Sequence, residues 1–351
     1  MPLQLQLIAP RRVELVPYHE APLQPHQVRA QALLSGISHG TELNLYRGTA
    51  PFADKTFDPD LRLFLPRQEA PTPTALGYEW VGRVSEVGEA VTTFRPGDLV
   101  HLLLPHRQTQ TFDPDDVPFH THVVPLPSAL RPEDAIFLAL AGVALQAVHD
   151  ARIKVGDRVA VFGLGVIGLF VVQLARLNGA AWIDAVDLYP LRRELAIRFG
   201  ADRVLDPSAH DVGYEIKRAS PHRGADVAIE VSGHDAALHE AIRSVRMGGS
   251  VVAAGFYQGG ASNLRLGEEW HHNRITMVSS MAAWGCPHRD HPLWDRTRIH
   301  ETVVALLAAG RLQTEGMLTH RIPFEEAATA YELIDRHPEQ VVKVALTYQT
   351  P

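Results

Sequence analysis

Two short stretches of the chain bring together residue types that can do chemistry. Residues 35–43 read SGISHGTEL and hold four polar side chains close together: Ser38, His39, Thr41 and Glu42. Hydroxyl, imidazole and carboxylate groups at this spacing can transfer protons or bind a metal ion, and they also occur in ordinary polar turns. Residues 163–168 read GLGVIG, a glycine spacing that lets a backbone approach a phosphate group closely.

The composition describes a soluble globular protein and argues against a nucleic-acid partner or a membrane span. With 351 residues the chain is too long for one hydrophobic core, so we expect two domains. The net charge of −7 and the lack of a Lys/Arg-rich block argue against a nucleic-acid partner. Apolar stretches are interrupted well before the ~20 residues that span a bilayer, and the N-terminus lacks a signal pattern, so we expect a cytoplasmic protein. The single cysteine, Cys286, excludes an internal disulfide and a cysteine-based zinc lobe.

The hydrophobic pattern changes along the chain. Short apolar or alternating runs separated by Pro, Gly and Asp predict a β-rich first part. From about residue 156, nearly all-apolar strands alternate with helices, which indicates a parallel sheet covered on both faces. We therefore predict an α/β fold class, with a doubly wound Rossmann domain at 143–284 and a β-rich domain built from 1–142 and 285–351.

The glycine-rich stretch fits a dinucleotide-binding fingerprint. It follows an apolar strand and opens a helix, and its three glycines have separable tasks. Gly163 permits the tight turn, Gly165 admits the pyrophosphate, and Gly168 allows close packing of helix and strand. The predicted contacts also include Leu164, Val166 and Ile167, because the start of the helix offers free N–H groups and a positive dipole end.

The next strand ends in Asp187, about 20 residues beyond Gly168, the separation expected of a ribose-binding carboxylate. Such a carboxylate repels the additional phosphate of NADP, which favours NAD. Arg192 follows closely and leaves NADP possible, although a solvated first-turn arginine is the simpler interpretation.

Seen together, these parts resemble the medium-chain dehydrogenase/reductase superfamily, whose fold joins a GroES-like catalytic domain to a Rossmann domain. The resemblance covers essentially the whole chain. It rests on these segments: SGISHGTELNLYRG (35–48), LGYEWVGRVSEVGEAVTTFRPGDLV (76–100), THVVPLP (121–127), GDRVAVFGLGVIG (156–168), GADRVLDP (200–207), ADVAIEVSG (225–233) and MGGSVVAAG (247–255).

The resemblance implies a zinc-independent member. Zinc-using members typically supply Cys, His and a third ligand at positions that here look like Ser38, Tyr78 and about Ala141, none of which is a competent zinc ligand. Other side chains that could rebuild a site have no familiar catalytic-zinc spacing, and we interpret them as surface or core-rim residues: His39, Glu42, His101, His106, His120 and His122.

Without a metal, hydrogen-bond donors and a proton relay must stabilise the developing oxyanion of a hydride transfer. Since the family places both segments at the cleft floor, the candidate catalytic residues are Ser38, His39, Thr41, Tyr78 and Glu79. An imidazole ordinarily titrates near neutrality, which makes His39 a candidate acid or base, and Tyr78 can donate to a carbonyl oxygen. Alternatively, Ser38 bonds the turn backbone, Tyr78 fills the vacated metal volume, and Glu79 only organises the site.

The resemblance also implies cofactor contacts further along the chain: Ser232, Gly233, Gly255, Phe256 and Lys343. It implies a homodimer or homotetramer acting on a small-molecule substrate. The sequence thus predicts a zinc-independent oxidoreductase that transfers a hydride between NAD(H) and a secondary alcohol or ketone. The alternatives are a zinc alcohol dehydrogenase with rearranged ligands, an NADPH-dependent enone or quinone reductase, and a non-catalytic nicotinamide-binding redox sensor.

Overall fold

The computed structural model describes residues 1–67, 73–115, 123–281 and 293–349. The strands are β1 (Leu3–Ala9), β2 (Arg12–Pro17), β3 (Val28–Ile37), β4 (Lys55–Asp58), β5 (Leu63–Pro66), β6 (Thr74–Ala75), β7 (Trp80–Val87), β8 (Leu99–Leu102), β9 (Thr109–Phe112), β10 (Val123–Leu126), β11 (Arg158–Phe162), β12 (Trp182–Val186), β13 (Arg203–Leu205), β14 (Ala225–Glu230), β15 (Val245–Ala253), β16 (Thr276–Ser279), β17 (Leu318–Pro323) and β18 (Lys343–Thr347). The predictions made for His120, His122 and Cys286 concern residues outside these ranges.

The α-helices are α1 (Thr41–Arg47), α2 (Pro132–Ala135), α3 (Leu138–Ala151), α4 (Val166–Leu177), α5 (Pro190–Arg198), α6 (Val212–Ala219), α7 (Asp235–Ser244), α8 (Glu269–His272), α9 (Arg296–Ala308) and α10 (Ala327–Arg336). Short 3₁₀ helices span Pro51–Ala53, Phe324–Glu326 and Pro338–Gln340. In the described part of the chain, no helix combines the length and hydrophobicity needed to cross a bilayer.

The chain divides into two compact units, residues 1–139 with 318–351, and residues 140–317. The first boundary lies close to the predicted one, but the return at residue 285 is wrong for the described residues 293–317. Helix α9 belongs to the second unit because Ile299 packs toward Gly142 of α3. Beyond α9, Gln313 accepts from and donates to Gln173 of α4, at 3.1 and 2.7 Å.

The first unit is built on antiparallel sheets. The largest has the order β10-β8-β7-β3-β18-β17, with β9 also paired to β3, and a three-stranded sheet has the order β2-β1-β6. Alternate residues of β3 are buried until its last four, which are all buried. The strand therefore enters the core at its last four residues, of which Ser35, Gly36 and Ile37 are also the first three of SGISHGTEL. That core includes Ile37, Leu43 and Tyr331, so α1 and α10 pack beneath this loop.

The second unit holds a six-stranded parallel sheet with the order β13-β12-β11-β14-β15-β16. Strand β11 (RVAVF) is buried at four of its five residues, as expected of a sheet covered on both faces. The strand order reverses between β11 and β14, which is the topological switch point where open α/β sheets bind ligands. The predicted fold class is confirmed.

The three fingerprint glycines differ in what surrounds them. A Cβ on Gly168 would lie 1.8 Å from the carbonyl oxygen of Gly163, whereas a Cβ on Gly165 would meet nothing within 4 Å. Gly163 itself has φ +88°, a left-handed conformation that favours glycine. Gly168 thus packs closely against the backbone of Gly163, and the space beside Gly165 is open; the pyrophosphate contact at Gly165 stays a prediction.

The different surroundings of Gly165 and Gly168 allow a matched comparison of their alanine variants. Because the Gly168 clash is with backbone, we expect Gly168→Ala to lower the unfolding free energy by about 2 kcal/mol or more. Gly165→Ala, at φ −66°, should leave the thermal unfolding midpoint unchanged. Thermal unfolding of both variants tests this, and equal midpoints would contradict it.

Candidate functional site

The cleft loop, residues 35–43, brings three of the predicted catalytic side chains together. Ser38 is buried, and the Tyr78 hydroxyl donates to Ser38 Oγ at 2.5 Å. Thr41, the first residue of α1, makes a further side-chain hydrogen bond with Tyr78. Burial, and then the charge of Glu79, raises the pKa of Tyr78 well above its ordinary value, so Tyr78 stays a protonated donor. His39 is partly exposed in the same loop, and its acid–base role remains a prediction.

Glu79 lies under this hydroxyl pair in a buried ion pair. Its Oε2 accepts from Lys343 Nζ at 2.6 Å, and both side chains are fully buried. Lys343 also donates to the carbonyl oxygen of Ile37 at 3.0 Å. Glu79 Oε1 is buried without a hydrogen-bond partner among the described residues. Burial raises the pKa of Glu79 to about 7, against the opposing effect of the Lys343 ammonium.

The predicted contact of Lys343 with the cofactor pyrophosphate is corrected by this geometry. Lys343 is the first residue of β18, which pairs with β3. Its side chain lies in the interior of the first unit. An ammonium that is fully buried and bonded to Glu79 and to Ile37 is committed to the core, and it is not available to a phosphate. Its role is to balance the Glu79 charge.

A second buried carboxylate, Glu42, also faces inward. Glu42 Oε1 accepts from the Ser38 backbone N–H at 2.8 Å. Glu42 Oε2 contacts His106 Nε2 at 3.1 Å and accepts from the Tyr331 hydroxyl at 2.6 Å. His106 Nδ1 lies 2.7 Å from Ser35 Oγ, so the carboxylate is surrounded by hydrogen-bond partners.

The donor set around Ser38 does not fit a catalytic zinc. Ser38 and Tyr78 offer only neutral hydroxyls, which are poor zinc ligands. Both oxygens of Glu42 are already bonded. Within the described ranges, the one group of three mutually close potential ligands is His239, Glu268 and Glu269, far along the sequence in the second unit.

In the second unit, Asp187 stands at the end of β12 and faces the glycine loop. Its Oδ2 accepts from Leu164 N at 2.7 Å and its Oδ1 from Tyr189 N at 2.9 Å. Arg192 Nη1 lies 3.8 Å from Asp187 Oδ2, and its guanidinium stacks over the Tyr189 ring. Arg193 bonds the backbone carbonyls of residues 187 and 188. Asp187 is therefore held beside the predicted pyrophosphate loop.

The remaining predicted cofactor residues meet at the carboxyl ends of β14 and β15. A Cβ on Gly233 would lie 2.9 Å from the Phe256 carbonyl oxygen, and one on Gly255 would lie 2.3 Å from Gly233 N. Ser232 donates through its N–H at 2.7 Å, and through its hydroxyl, to Glu230 Oε1. The loops that follow β14 and β15 are thus in close backbone contact at the carboxyl end of the sheet.

Sequence reasoning missed several residues of these sites: Tyr331 and Tyr348 around Glu42, and Glu230 with Tyr257. The interpretation of His106 as a surface or core-rim residue is wrong, because it is fully buried against Glu42. The Tyr257 hydroxyl donates to Glu230 Oε2, and burial raises the pKa of Glu230. A glutamate ending an otherwise apolar strand was the available signal for Glu230. No local pattern in the sequence pairs His106 with Glu42, since they lie 64 residues apart.

The raised pKa of Glu79 makes stability depend on pH. Between about pH 4.5 and 7, folded Glu79 holds a proton that the unfolded chain releases, so its contribution to stability falls as pH rises. In Glu79→Gln this contribution is absent. Thermal midpoints measured from about pH 5 to 8 should therefore show wild type losing stability relative to Glu79→Gln as pH rises. Exposed Glu89→Gln is the control, and a constant difference between wild type and Glu79→Gln would contradict the expectation.

Comparisons with known proteins agree over both units. The alcohol dehydrogenase GroES-like domain family matches residues 25–113, and the zinc-binding dehydrogenase family matches residues 166–291. The D-guloside 3-dehydrogenase of Escherichia coli (strain K12) is 34% identical over 98% of this chain and 99% of its own length. The (R,R)-butanediol dehydrogenase of Bacillus subtilis (strain 168) is 29% identical over 88% of each chain.

Comparison with solved structures gives the same family. The solved structure of an alcohol dehydrogenase from Thermus sp. ATN1 matches with a TM-score of 0.76 at 25% identity, over 99% of this chain and all of that one. The chain belongs to the medium-chain dehydrogenase/reductase superfamily, in its zinc alcohol dehydrogenase-like group, and it is an oxidoreductase that acts on alcohols or ketones.

Proposed function

We propose that this protein is an NAD(H)-dependent dehydrogenase that interconverts a secondary alcohol of a sugar or polyol and the corresponding ketone, without a catalytic zinc. The observation that carries the proposal is the hydroxyl pair of Ser38 and Tyr78, 2.5 Å apart and largely buried. These residues stand where zinc-using members of the family typically supply Cys and His. Neutral hydroxyls are weak zinc ligands but good hydrogen-bond donors to an oxyanion.

The substrate class is supported by the relatives. The chain shares 34% identity over 98% of its length with a D-guloside 3-dehydrogenase, and 26% identity over 92% with sorbitol dehydrogenase 1 of Saccharomyces cerevisiae (strain ATCC 204508 / S288c). Both names describe a carbohydrate or polyol. A hydroxyl-lined site suits such a substrate, because neighbouring hydroxyl groups of a sugar need polar partners.

The residues of the first unit would hold the reacting oxygen. Tyr78 donates to Ser38, which leaves the Ser38 hydroxyl hydrogen directed to a further acceptor, and we assign that place to the substrate oxygen. Because burial keeps Tyr78 protonated, it serves as a donor rather than as the base. Thr41 adds a second side-chain hydrogen bond to the phenol. His39, partly exposed at the loop, is the candidate for proton exchange with solvent.

The residues of the second unit fit a dinucleotide. The backbone of the glycine loop and the uncapped start of α4 would bind the pyrophosphate, and Asp187 would accept from the ribose hydroxyls. When bound, the dinucleotide accepts or supplies the hydride. The Asp187 carboxylate repels an additional phosphate, which supports NAD over NADP.

Removing one hydroxyl tests the proposed donor pair. We expect Tyr78→Phe to lower kcat about 10²-fold for NAD⁺ reduction with the best substrate among sorbitol, 2,3-butanediol and methyl glucosides, with NADH binding unchanged. Tyr214→Phe, an exposed tyrosine on α6, is the matched control. Unchanged kcat in Tyr78→Phe would contradict the assignment. NADH binding without turnover of any alcohol, ketone, enone or quinone would instead support a redox sensor.

Metal removal distinguishes this proposal from a zinc enzyme with rearranged ligands. We expect freshly purified protein to hold much less than one zinc per chain and to keep its activity after dialysis against a chelator. Because the residues at the family's ligand positions are Ser38, Tyr78 and Ala141, no loss should follow. One tightly held zinc per chain, removed together with activity, would overturn the zinc-free proposal.

The cofactor preference depends on one charge. Asp187→Asn keeps an oxygen that can accept from Leu164 N but removes the carboxylate, so the NADP⁺ to NAD⁺ ratio of kcat/KM should rise about tenfold or more. Asp235→Asn, whose carboxylate bonds Asn263 at the start of α7, is the control. A wild-type preference for NADPH, with enone or quinone reduction, would favour the reductase alternative.

A further inference from the structure

A buried hydrogen-bond cluster lies beneath the cleft loop, and the proposed reaction does not itself use it. We name it the Glu42 cluster, and its members are Ser35, Glu42, His106, Tyr331 and Tyr348. Glu42 is 1% exposed, and His106 and Tyr331 are fully buried. The chain of contacts runs from Glu42 to His106 at 3.1 Å, to Ser35 at 2.7 Å and to Tyr348 at 2.7 Å.

Glu42 is hydrogen-bonded to the Ser38 backbone at both the N–H and the carbonyl oxygen of Ser38. Glu42 Oε1 accepts from Ser38 N at 2.8 Å, and Glu42 N donates to Ser38 O at 3.1 Å. The other carboxylate oxygen is held by His106 and Tyr331. The Ser38 peptide groups are thereby hydrogen-bonded to a residue whose side chain is buried and bonded at both carboxylate oxygens.

The groups around Glu42 favour its charged form, which accepts the hydrogen bond from Ser38. Burial alone would raise the pKa of Glu42, but the His106 charge and the hydrogen bonds from His106, Tyr331 and Ser38 outweigh it and lower the pKa. Glu42 is therefore an anion. The other charged group acting on Tyr78 is Glu79, which forms a separate pair with Lys343.

A donor pair without a metal depends on orientation. A hydroxyl can rotate, and its value to a developing oxyanion depends on being preorganised. We propose that Glu42 is the positioning residue of this site, holding Ser38 so that the Ser38–Tyr78 hydroxyl pair points at the substrate oxygen. The inference rests on the proposed function, since it assigns Glu42 a role through that pair.

A double-mutant cycle tests the proposal, using the intact chain, NAD⁺ and the best substrate of the sorbitol, 2,3-butanediol and methyl glucoside panel. Glu42→Gln should lower kcat at least about thirtyfold, with NADH binding unchanged. In the Tyr78→Phe background the same change should cost less than about threefold, because the pair it positions is already broken. Exposed Glu332→Gln, also in the first unit, is the control.

A milder variant covers the case in which Glu42→Gln fails to fold. Tyr331→Phe keeps the ring and removes one hydrogen bond to Glu42, so we expect kcat to fall about three- to tenfold, again only when Tyr78 is present. Hydrogen–deuterium exchange of residues 35–43 should quicken in Tyr331→Phe and stay unchanged in Glu332→Gln.

The outcomes separate the two proposals. Unchanged kcat in both Glu42 cluster variants, or equal losses with and without Tyr78, would overturn the positioning role while leaving the donor pair intact. Unchanged kcat in Tyr78→Phe would overturn the donor pair, and with it the positioning role. Unchanged exchange of residues 35–43 in Tyr331→Phe would also overturn the inference.

Discussion

The first unit is organised around the cost of burying charge. A carboxylate taken out of water loses several kcal/mol of solvation unless a cation and hydrogen bonds replace it. Glu42 and Glu79 are both buried beside the cleft loop; Glu79 is paired with Lys343, and Glu42 is held by hydrogen bonds with His106, Tyr331 and the Ser38 N–H. His106 comes from the loop after β8, and Lys343 from β18 near the C-terminus. The site therefore requires residues that are brought together only by the complete sheet of the first unit.

This requirement explains why the last part of the chain returns to the first unit. Strand β18 pairs with β3 in antiparallel register and places Val344 opposite Ile37, just before the cleft loop. Lys343 reaches the Ile37 carbonyl and Glu79 from this position. Helix α10 adds Tyr331 against Glu42. A chain lacking these residues would leave Glu79 without its cation and Glu42 without one of its hydrogen-bond donors.

Local sequence patterns predicted the second unit better than the first. The glycine spacing, the apolar strands and Asp187 are separated by short, regular distances, so a single βαβ unit contains the whole signal. The contacts of Glu42 and Lys343 join residues 64 to 306 positions apart, and no spacing rule covers them. Lys343 is an example. The family resemblance assigned this basic residue to the cofactor phosphates, whereas in the folded chain it pairs with Glu79.

The second domain boundary failed for a related reason. The amphipathic pattern of α9 indicates one buried face but not the partner of that face. The packing of Ile299 toward Gly142, and the bonds between Gln313 and Gln173, are tertiary facts that place α9 in the second unit. Periodicity thus identified the element correctly and left its domain undecided.

The chemistry available to the cleft loop follows from its charge balance. Glu79 pairs with Lys343, and Glu42 is hydrogen-bonded to His106, to the Tyr331 hydroxyl and to the Ser38 N–H, so each carboxylate has its own buried partners. A zinc ion would stabilise an alkoxide through its own charge, largely independent of hydroxyl orientation. A pair of hydroxyls acts only through dipoles, whose effect depends on direction. In the proposed zinc-free mechanism, the buried contacts of Glu42 and Glu79 would therefore supply the fixed orientation that the Ser38–Tyr78 hydroxyl pair needs.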